Sequence, residues 1–570
     1  MNLLSANLPS RQIWQQFWQI VKPYWLSLSL WGRAQILLLV LFSFGSSGFI
    51  VVETLQRGEI TSSLAAHNLS RFQQAIWIFC GIIIINIICI SGKNYVQSQI
   101  SLNWRKWLTS SYLNQYFQQQ SFYHLHTSSE VDNPDQRIAE DTKNVTQRLI
   151  ALLVIFLDSL VQLVGFVGVL WVISPFLMVV LLTYTLVGTI FTTQIFGRVL
   201  VGINVEQLQR EADFRYGLVR IRDNAEAIAF YQGQTQESEQ SKISFGRVFA
   251  NINRLIRWQF NLNVFQNSYQ YLTFILPFII LAPRIFSSEL EIGAVTQSQA
   301  AFERVGLALG LVITQFEQLS KLIAGIQRLV ELTNGTEKAL YTKNQGIEVV
   351  GNKHILLKNL TLQHPNHQTN LIQDLSITIK SGQSLLIVGA SGVGKTTLLR
   401  ALAGLWLHGK GQIARPDNNQ VLFLPQRPYM ALGTLRQQLL YPHGEIATTQ
   451  ETLLEILQQV DLPDLAARYG GIDAMIDWGR VLSLGEQQRL AFARLLLNQP
   501  RFAILDEATS ALDEETSAYL YEKLQATSVT YISVAHRNGL VDYHQLVLEL
   551  RKQDWQLLSV DDYRDYSRHK

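Results

Sequence analysis

The chain has 570 residues, with 47 Lys and Arg against 44 Asp and Glu, which gives a formal net charge of +3 at pH 7. This balance argues against a nucleic-acid partner bound through bulk positive charge. Only 16% of residues are charged, whereas soluble proteins carry about a quarter, and the mean hydropathy is +0.11. These values predict a membrane domain in a chain long enough for a second domain.

The segment SRQIWQQFWQIVKPYW near the N-terminus predicts an amphipathic helix. Trp14, Phe17, Trp18 and Val21 recur on one helical face opposite several glutamines, and Pro23 should end or bend the helix. We expect this helix to lie at the membrane interface, with a soluble packing helix as the alternative.

Six apolar stretches follow, each near the length of about 20 residues that crosses the hydrocarbon core. They lie roughly at 34–52, 75–92, 149–173, 176–196, 263–283 and 300–318. Basic residues crowd the connections after the second and fourth stretches, whereas the opposite side has only Arg57, Arg71 and Arg284. Both long connections are therefore predicted to be cytoplasmic, and an even number of spans returns the C-terminal half to the same side.

The fifth stretch carries a stripe of amides at the spacing of one helical face: Asn263, Gln266, Asn267 and Gln270. Amides do not face lipid without cost. The stripe either forms hydrogen bonds between helices or lines a water-filled cavity. Asp158 with Gln162, and Glu303 with Arg304, are further polar pairs in predicted spans, for which ion pairing within the bundle or at a span end is favoured.

The segment GASGVGKTT follows an apolar run directly and has the spacing of a phosphate-binding loop. Its glycines allow backbone conformations that a side chain hinders, so that successive N–H groups can surround a phosphate chain. Lys395 would add a charge and Thr396 a hydroxyl for Mg²⁺, and the N-terminus of the next helix would face the same anion. The predicted nucleotide-binding residues here are Gly389, Ser391, Gly392, Gly394, Lys395, Thr396 and Thr397.

A second element closes the apolar run Ile504-Leu505 with two carboxylates. Asp506 would hold Mg²⁺ through water, and Glu507 would orient and polarise the attacking water. Both roles suit phosphoryl transfer, which depends on positioning and charge neutralisation.

An ordered set of motifs gives these residues a context. Gln426 follows the run VLFLP, then come LSLGEQQR, DEATSALD and a strand TYISVA that ends at His536. In this order and spacing the C-terminal half resembles the nucleotide-binding domain of an ATP-binding cassette (ABC) transporter.

The resemblance implies roles for individual residues. Gln426 would join Mg²⁺ to the membrane domain and His536 would lie near the γ-phosphate, so that the implied catalytic residues are Glu507, His536 and Gln426. The implied Mg²⁺ ligands are Thr396, Gln426 and Asp506, and the implied cofactors are ATP and Mg²⁺. The remaining implied ATP contacts are the signature residues Ser483, Gly485 and Glu486, together with Asp513 of the D-loop.

Two positions depart from the family pattern. Leu484 replaces the first of two signature glycines, which would alter one backbone approach to phosphate in the opposing site. His364 stands where many members place an aromatic ring under adenine, and histidine stacks more weakly.

Further segments are similar to ABC subfamily D, which includes peroxisomal fatty-acyl transporters and lysosomal cobalamin proteins, and to bacterial transporters with a membrane domain like SbmA and BacA. These segments are VLFLPQRPYMALGTLRQQLLYP from Val421, NWRKWLTSSYLNQYF from Asn103 and VDNPDQRIAEDT from Val131. The loop NAEAIAFYQGQTQE resembles the group's EAA-like element, with Glu226 and Gly233 at the matching positions.

The predicted fold is an α-helical six-span transmembrane domain over 1–332, a linker over 333–346 and an α/β P-loop nucleotide-binding domain over 347–570. The predicted function is that of an ATP-driven half transporter, paired with a second copy of itself in a bacterial inner membrane. Its cargo would be a hydrophilic solute such as cobalamin or a peptide, and the direction of transport stays open. The alternatives are a fatty-acyl or lipid substrate, or an ATP-gated regulator that moves no solute.

Overall fold

The computed structural model describes residues 10–128, 131–311, 315–342, 346–364, 369–406, 408–443, 448–535, 538–552 and 554–568. The chain divides into two compact units. The first extends to Gln118 and resumes over Ser128–Thr336, and the second holds Gln119–Thr127 and the chain from Glu337 onward. A helical unit followed by a strand-containing unit confirms the predicted fold class.

The N-terminal half is built from long helices. They are α1 Ser10–Leu26, α2 Leu30–Ala65, α3 Leu69–Phe117, α4 Ser121–Ser128, α5 Pro134–Gln136, α6 Thr142–Ile173, α7 Pro175–Thr192, α8 Arg198–Asp223, α9 Ala225–Phe230, α10 Gln234–Phe286, α11 Gly293–Leu309 and α12 Phe316–Thr342. Helix α1 continues past Pro23 to Leu26, with Trp14 and Trp18 exposed and Val21 buried.

Five helices within the described residues are long and apolar enough to cross a membrane: Leu30–Ala65, Leu69–Thr127, Pro134–Ile173, Pro175–Asp223 and Gln234–Phe286. They contain the first five predicted spans. The sixth, 300–318, overlaps α11, which has 17 residues, and part of α12, and 312–314 lie outside the described residues. The count of six spans therefore stays a prediction.

The predicted linker, 333–346, is helical up to Thr342 because α12 continues through it. Thr336 is buried, and its hydroxyl donates to the carbonyl of Leu332 at 3.1 Å. The burial of Thr336 offsets part of the helix propensity that the neighbouring Gly335 lacks. The role of the segment as a linker stays a prediction.

An ion pair is buried among three spanning helices. Lys93 Nζ on α3 donates to Asp158 Oδ2 on α6 at 2.7 Å and to Ser46 Oγ on α2 at 3.1 Å. The hydroxyls of Ser43 and Ser47, also on α2, donate to the second carboxylate oxygen of Asp158. The expected ion pairing of Asp158 is thus present. Its partner is Lys93. In the sequence Lys93 directly follows the second predicted span, at the start of a connection predicted to be cytoplasmic, but in the structure it is buried in the helix bundle.

We expect Lys93→Met or Asp158→Asn alone to destabilise the helical unit by about 3–5 kcal/mol, because each leaves a buried group without its partner. The double variant should recover a large part of this loss. Thermal unfolding of the full chain in detergent measures the effect. Arg57→Met, which breaks an exposed pair with Glu53, is the matched control and should change stability by less than about 1 kcal/mol. Additive losses in the double variant would show that the pair is not coupled.

The strands of the second unit are β1 Glu348–Gly351, β2 Ile355–Gln363, β3 Asn370–Ile379, β4 Leu385–Gly389, β5 Gly409–Arg415, β6 Val421–Leu424, β7 Gly433–Thr434, β8 Met475–Ile476, β9 Phe502–Asp506, β10 Thr530–Val534, β11 Leu546–Arg551 and β12 Asp554–Ser559. Its helices are α13 Lys395–Leu402, α14 Leu435–Leu440, α15 Gln450–Gln459, α16 Leu465–Arg468, α17 Trp478–Val481, α18 Leu484–Asn498, α19 Glu514–Gln525 and α20 Val560–Arg568.

The main sheet has the strand order β12-β11-β4-β10-β9-β6 and is parallel except for β12. A second sheet has the order β1-β5-β2-β3 and is mostly antiparallel. Strand β4 reads as a continuous apolar run because both of its faces are covered. Leu386 belongs to one hydrophobic core, and Leu385 and Ile387 belong to the other.

The register of the main sheet brings several strand ends to one edge. Ile387 of β4 pairs with Val534 of β10, which pairs with Asp506 of β9. Leu424 at the end of β6 pairs with Leu505 of β9. The segments that follow these parallel strands therefore meet at the carboxyl edge of the sheet, where ligands bind in open α/β sheets.

Candidate functional site

The loop between β4 and α13 has the backbone that its glycines predict. Gly389, Gly392 and Gly394 have φ values of +145°, +79° and +111°, conformations that residues with a side chain rarely adopt. A Cβ at Gly389 would also lie 2.4 Å from the carbonyl oxygen of Leu550. Ser391 is exposed in this loop, and Thr396 and Thr397 lie in the first turn of α13, whose N-terminal N–H groups suit a phosphate.

Lys395 is buried at the base of the loop. Its Nζ donates to the carbonyl oxygens of Gly389 and Ala390 at 2.7 and 3.0 Å. Burial lowers the pKa of Lys395, and the charges of Glu507 and Asp506 oppose that shift. The ammonium group is therefore held beside both carboxylates, where it can exchange carbonyl contacts for phosphate oxygens.

The two carboxylates after β9 have different environments. Burial raises the pKa of Asp506, as does the charge of Glu507, whereas Arg400, Lys395 and a hydrogen bond with Thr396 oppose the shift. Glu507 has a positive φ of 49°, and its N–H donates to the carbonyl of Val534 at 3.1 Å. A non-glycine residue with positive φ is strained, and such strain often occurs at functional sites.

Gln426 and Glu507 are brought together although they are far apart in the sequence. The Gln426 Nε2 donates to Glu507 Oε2 at 2.8 Å. The oxygen atoms of Thr396, Asp506 and Gln426 form a set of hard ligands of the kind that Mg²⁺ prefers, and these residues fit the predicted cation.

The signature residues form a helix cap. Ser483 Oγ accepts from the N–H of Glu486 at 3.3 Å, and Glu486 Oε2 accepts from the N–H of Ser483 at 2.9 Å, which is a capping box at the start of α18. Arg468 donates to Glu486 at 2.6 Å. Burial favours a higher pKa for Glu486, but the hydrogen bonds from Arg468 and Ser483 together hold that pKa below its usual value. Within the described residues, the hydrogen bonds of Ser483 and Glu486 do not reach the phosphate loop.

Asp513 caps the next helix, α19. Its carboxylate accepts from the N–H of Thr516 at 2.7 Å and from the hydroxyl of Thr516 at 2.9 Å. These hydrogen bonds lower the pKa of Asp513. The D-loop aspartate therefore fixes where α19 begins.

Gln488 is a residue that sequence reasoning missed. It is fully buried on α18, and its Nε2 donates to the carbonyl of Gln426 at 2.9 Å and to Ser510 Oγ at 3.2 Å. Its Oε1 accepts from the N–H of Ala511 at 3.0 Å. One amide thus connects the signature helix, the segment of Gln426 and the segment before Asp513. In the sequence, Gln488 is only an amide two residues before the apolar Leu490. This pattern does not predict that Gln488 is buried or which distant residues it contacts.

The structure does not place several of the predicted residues at the site. His536 lies outside the described residues, next to the end of β10. The N–H of His364 donates to the carbonyl of Thr369 at 3.0 Å, and 365–368 lie outside the described residues, so a role at adenine stays a prediction. Glu226 is exposed on α9, and Gly233 precedes α10.

The membrane unit contains a cavity of about 320 Å³ between α7, α10 and α11. Gln266 and Gln270 of the predicted amide stripe line it together with Glu303. Asn263 and Asn267 are exposed and do not line this cavity. Half of the stripe therefore borders a space that can hold solute, as one of the two interpretations predicts.

A phosphate loop, paired carboxylates and a capped signature helix at one sheet edge define a P-loop ATPase, here following a helical membrane unit. Residues 24–286 match the family model described as ABC transporter transmembrane region 2, and 372–510 match the model described as ABC transporter. The chain belongs to the ABC transporter family, as a multi-pass membrane protein that couples ATP hydrolysis to transport.

Relatives extend over the whole chain. An uncharacterized ABC transporter ATP-binding protein of Synechocystis is 42% identical over 95% of this chain and 83% of its own length. ABC transporter D family member 2, chloroplastic, of Arabidopsis thaliana is 36% identical over 97% of this chain and 89% of its own length. The human lysosomal cobalamin transporter ABCD4 is 31% identical over 96% of both chains. The resemblance to subfamily D is confirmed, and the chain has the organisation of a half transporter.

We expect Gln488→Leu to lower the rate of ATP hydrolysis about tenfold with a smaller change in KM for ATP, because it leaves the carbonyl of Gln426 and the N–H of Ala511 without partners. Steady-state ATPase assays of the purified full chain measure both constants. Gln458→Leu, an exposed change of the same type on α15, is the control. If Gln488→Leu lowers thermal stability but leaves turnover at the control value, the amide is structural only.

Proposed function

We propose that two copies of this chain form a homodimer that uses ATP to move a hydrophilic solute across a bacterial inner membrane. The observation that supports a polar cargo is the cavity lined by Gln266, Gln270 and Glu303. Apolar cargo would gain little from amides and a carboxylate, which cost free energy wherever they face lipid or an apolar ligand.

The proposed chemistry starts from the residues at the sheet edge. Lys395 and the N–H groups of the loop would bind the phosphates. Thr396, Asp506 and Gln426 would hold Mg²⁺, which would neutralise part of the phosphate charge. Glu507, oriented by Gln426, positions and polarises the attacking water, with His536 acting near the γ-phosphate. The raised pKa of Asp506 should fall again when a cation binds, since a positive charge favours the carboxylate.

The proposed dimer follows from the single signature in each chain. The family arrangement places the phosphate loop of one subunit against the signature of the other, so one copy cannot complete its own site. Two copies related by a twofold axis give two equivalent sites. Closure of these sites around ATP would act through the long inner connections, including the element of Glu226 and Gly233, to change access to the cavity.

The location proposed for the protein follows from its charge distribution. The basic residues after the second and fourth spans favour a cytoplasmic position for both connections. This orientation places the nucleotide-binding domain in the cytoplasm, where ATP is available. The bacterial relative from Synechocystis agrees with a bacterial membrane.

We expect Glu507→Gln to bind ATP and accumulate as a closed dimer with turnover reduced at least a hundredfold, because the amide cannot polarise water as a carboxylate does. Retained ATP after rapid gel filtration and the rate of phosphate release measure the effect. Lys395→Ala, which removes the ammonium contact to phosphate, should instead fail to retain ATP. Ordinary turnover in Glu507→Gln would refute its catalytic role.

The cargo is tested by reconstituting the purified protein in vesicles and measuring ATP-dependent movement of cobalamin, short peptides and acyl-CoA. We expect a polar compound to stimulate ATP hydrolysis and to move across the membrane in the wild type but not in Lys395→Ala. Stimulation by acyl-CoA alone would contradict a hydrophilic cargo. ATP hydrolysis without movement of any compound would favour a regulator in place of a transporter.

A further inference from the structure

The cavity in the membrane unit is bordered by three helices. Helix α7 contributes Gly188 and Thr192, and helix α10 contributes two amides and two aromatic rings. Helix α11 contributes Glu303 and Gly306, and Gly310 follows its end. Its volume of about 320 Å³ is near the lower end of the range for ligand sites, about 300–1,000 Å³. It therefore suits a group the size of one side chain or a small solute.

Glu303 contributes a carboxylate to the lining of this cavity and is half-buried on α11. It forms no ion pair or hydrogen bond with any residue in the part of the chain that the structure describes. The neighbouring Arg304 is exposed and does not line the cavity, because adjacent residues on a helix point about 100° apart. A carboxylate among membrane helices that has no partner within the described residues is costly, which favours a ligand as its partner.

Asp158, another acid of the membrane unit, shows the contrast. Asp158 is satisfied within the chain by Lys93 and two serine hydroxyls. The fold thus compensates a carboxylate where its role is to hold helices together. Glu303 has the same chemistry, but it faces open space.

The amides beside Glu303 also have free hydrogen-bonding capacity. Gln266 and Gln270 lie one turn apart on α10, and neither forms a side-chain hydrogen bond within the described residues. Each amide can both donate and accept. Three polar side chains with unused capacity therefore converge on one cavity.

Aromatic rings form a fixed wall of the same cavity. The ring of Tyr269 stacks on Tyr184 at 4.3 Å between centroids, and the hydroxyl of Tyr184 donates to the carbonyl of Tyr269 at 2.8 Å. Phe265 continues the stack at 6.2 Å from Tyr269. Gly188 allows this packing, since a Cβ there would lie 2.5 Å from the Tyr269 ring. Aromatic faces attract cations.

We propose that this cavity binds a cationic group, an ammonium or guanidinium, of the transported solute, with Glu303 as its counter-ion. Gln266 and Gln270 complete its hydrogen bonds, and the rings of Phe265 and Tyr269 pack against its apolar part. Within the described lining no basic residue is present, so a phosphate or carboxylate head group would meet charge of its own sign. This inference rests on the proposed transport of a polar solute and narrows that solute to compounds with a basic group.

The test uses reconstituted full-length protein and three tripeptides that differ only at the centre: lysine, acetylated lysine or glutamate. In the wild type, we expect ATP-dependent uptake of the lysine peptide to reach half its maximum at a concentration about tenfold lower than for the acetylated peptide, the size of one charge-assisted contact. Glu303→Gln should abolish this preference. Glu303→Lys should prefer the glutamate peptide.

Three further variants separate charge from folding. Glu303→Asp keeps the charge and should keep the preference for lysine. Arg304→Gln changes a charge outside the cavity and should leave the preference at the wild-type value. Gly306→Leu should weaken uptake of all three peptides, because a Cβ at Gly306 has open space around it and the longer side chain fills the cavity.

The outcomes distinguish this inference from the proposed function. If the wild type takes up all three peptides equally well, or Glu303→Gln keeps the lysine preference, the cation site is refuted while polar transport stands. If no peptide and no cobalamin moves and acyl-CoA alone stimulates ATP hydrolysis, polar transport is refuted and the cation site with it. A lysine preference that is lost in Glu303→Gln and kept in Glu303→Asp supports both.

Discussion

Four parallel strands, β4, β10, β9 and β6, end at one edge of their sheet, and the nucleotide site depends on that alignment. Parallel pairing in register places the phosphate loop after β4, the carboxylates after β9 and Gln426 after β6 next to one another. The apolar side chains of these strands supply two hydrophobic cores, one on each face. Burial of these apolar side chains folds the domain, and the same packing holds the carboxylates of Asp506 and Glu507 near each other despite their like charge.

The polar network at this edge is largely self-satisfied. Lys395 is bonded to loop carbonyls, Gln426 to Glu507, and Gln488 to two other segments. Lys395 and Gln488 are buried members of this network. The loss of a partner of either is costly, since a buried group that is left unpaired has no water to replace the lost bond. Asp158 and Glu303 of the membrane unit differ in the same respect. Asp158 has a partner within the chain, whereas Glu303 faces a cavity.

Local patterns predicted the parts of the site that depend on local geometry. The glycines of the phosphate loop have the positive φ angles that their spacing indicates. Interactions between distant segments were not predictable in this way. Neither the amide of Gln488 nor the lysine of the Lys93–Asp158 pair carries a sequence signal that identifies its partner. The predicted sixth span is not among the five spanning helices of the described residues, and polar residues such as Glu303 interrupt its apolar run.

The leucine in the signature shows how a departure from a family pattern can leave backbone chemistry intact. Leu484 is the first helical residue of α18, and it is absent from the described residues with positive φ, so its side chain imposes no strain there. Gly485 packs closely against the segment before Asp513, since a Cβ at that position would lie 3.3 Å from the carbonyl oxygen of Ala511. Ser483 and Glu486 fix the start of the helix independently of Leu484. The N–H groups at the helix N-terminus therefore stay in place for an anion, and the substitution changes the surface around them rather than their geometry.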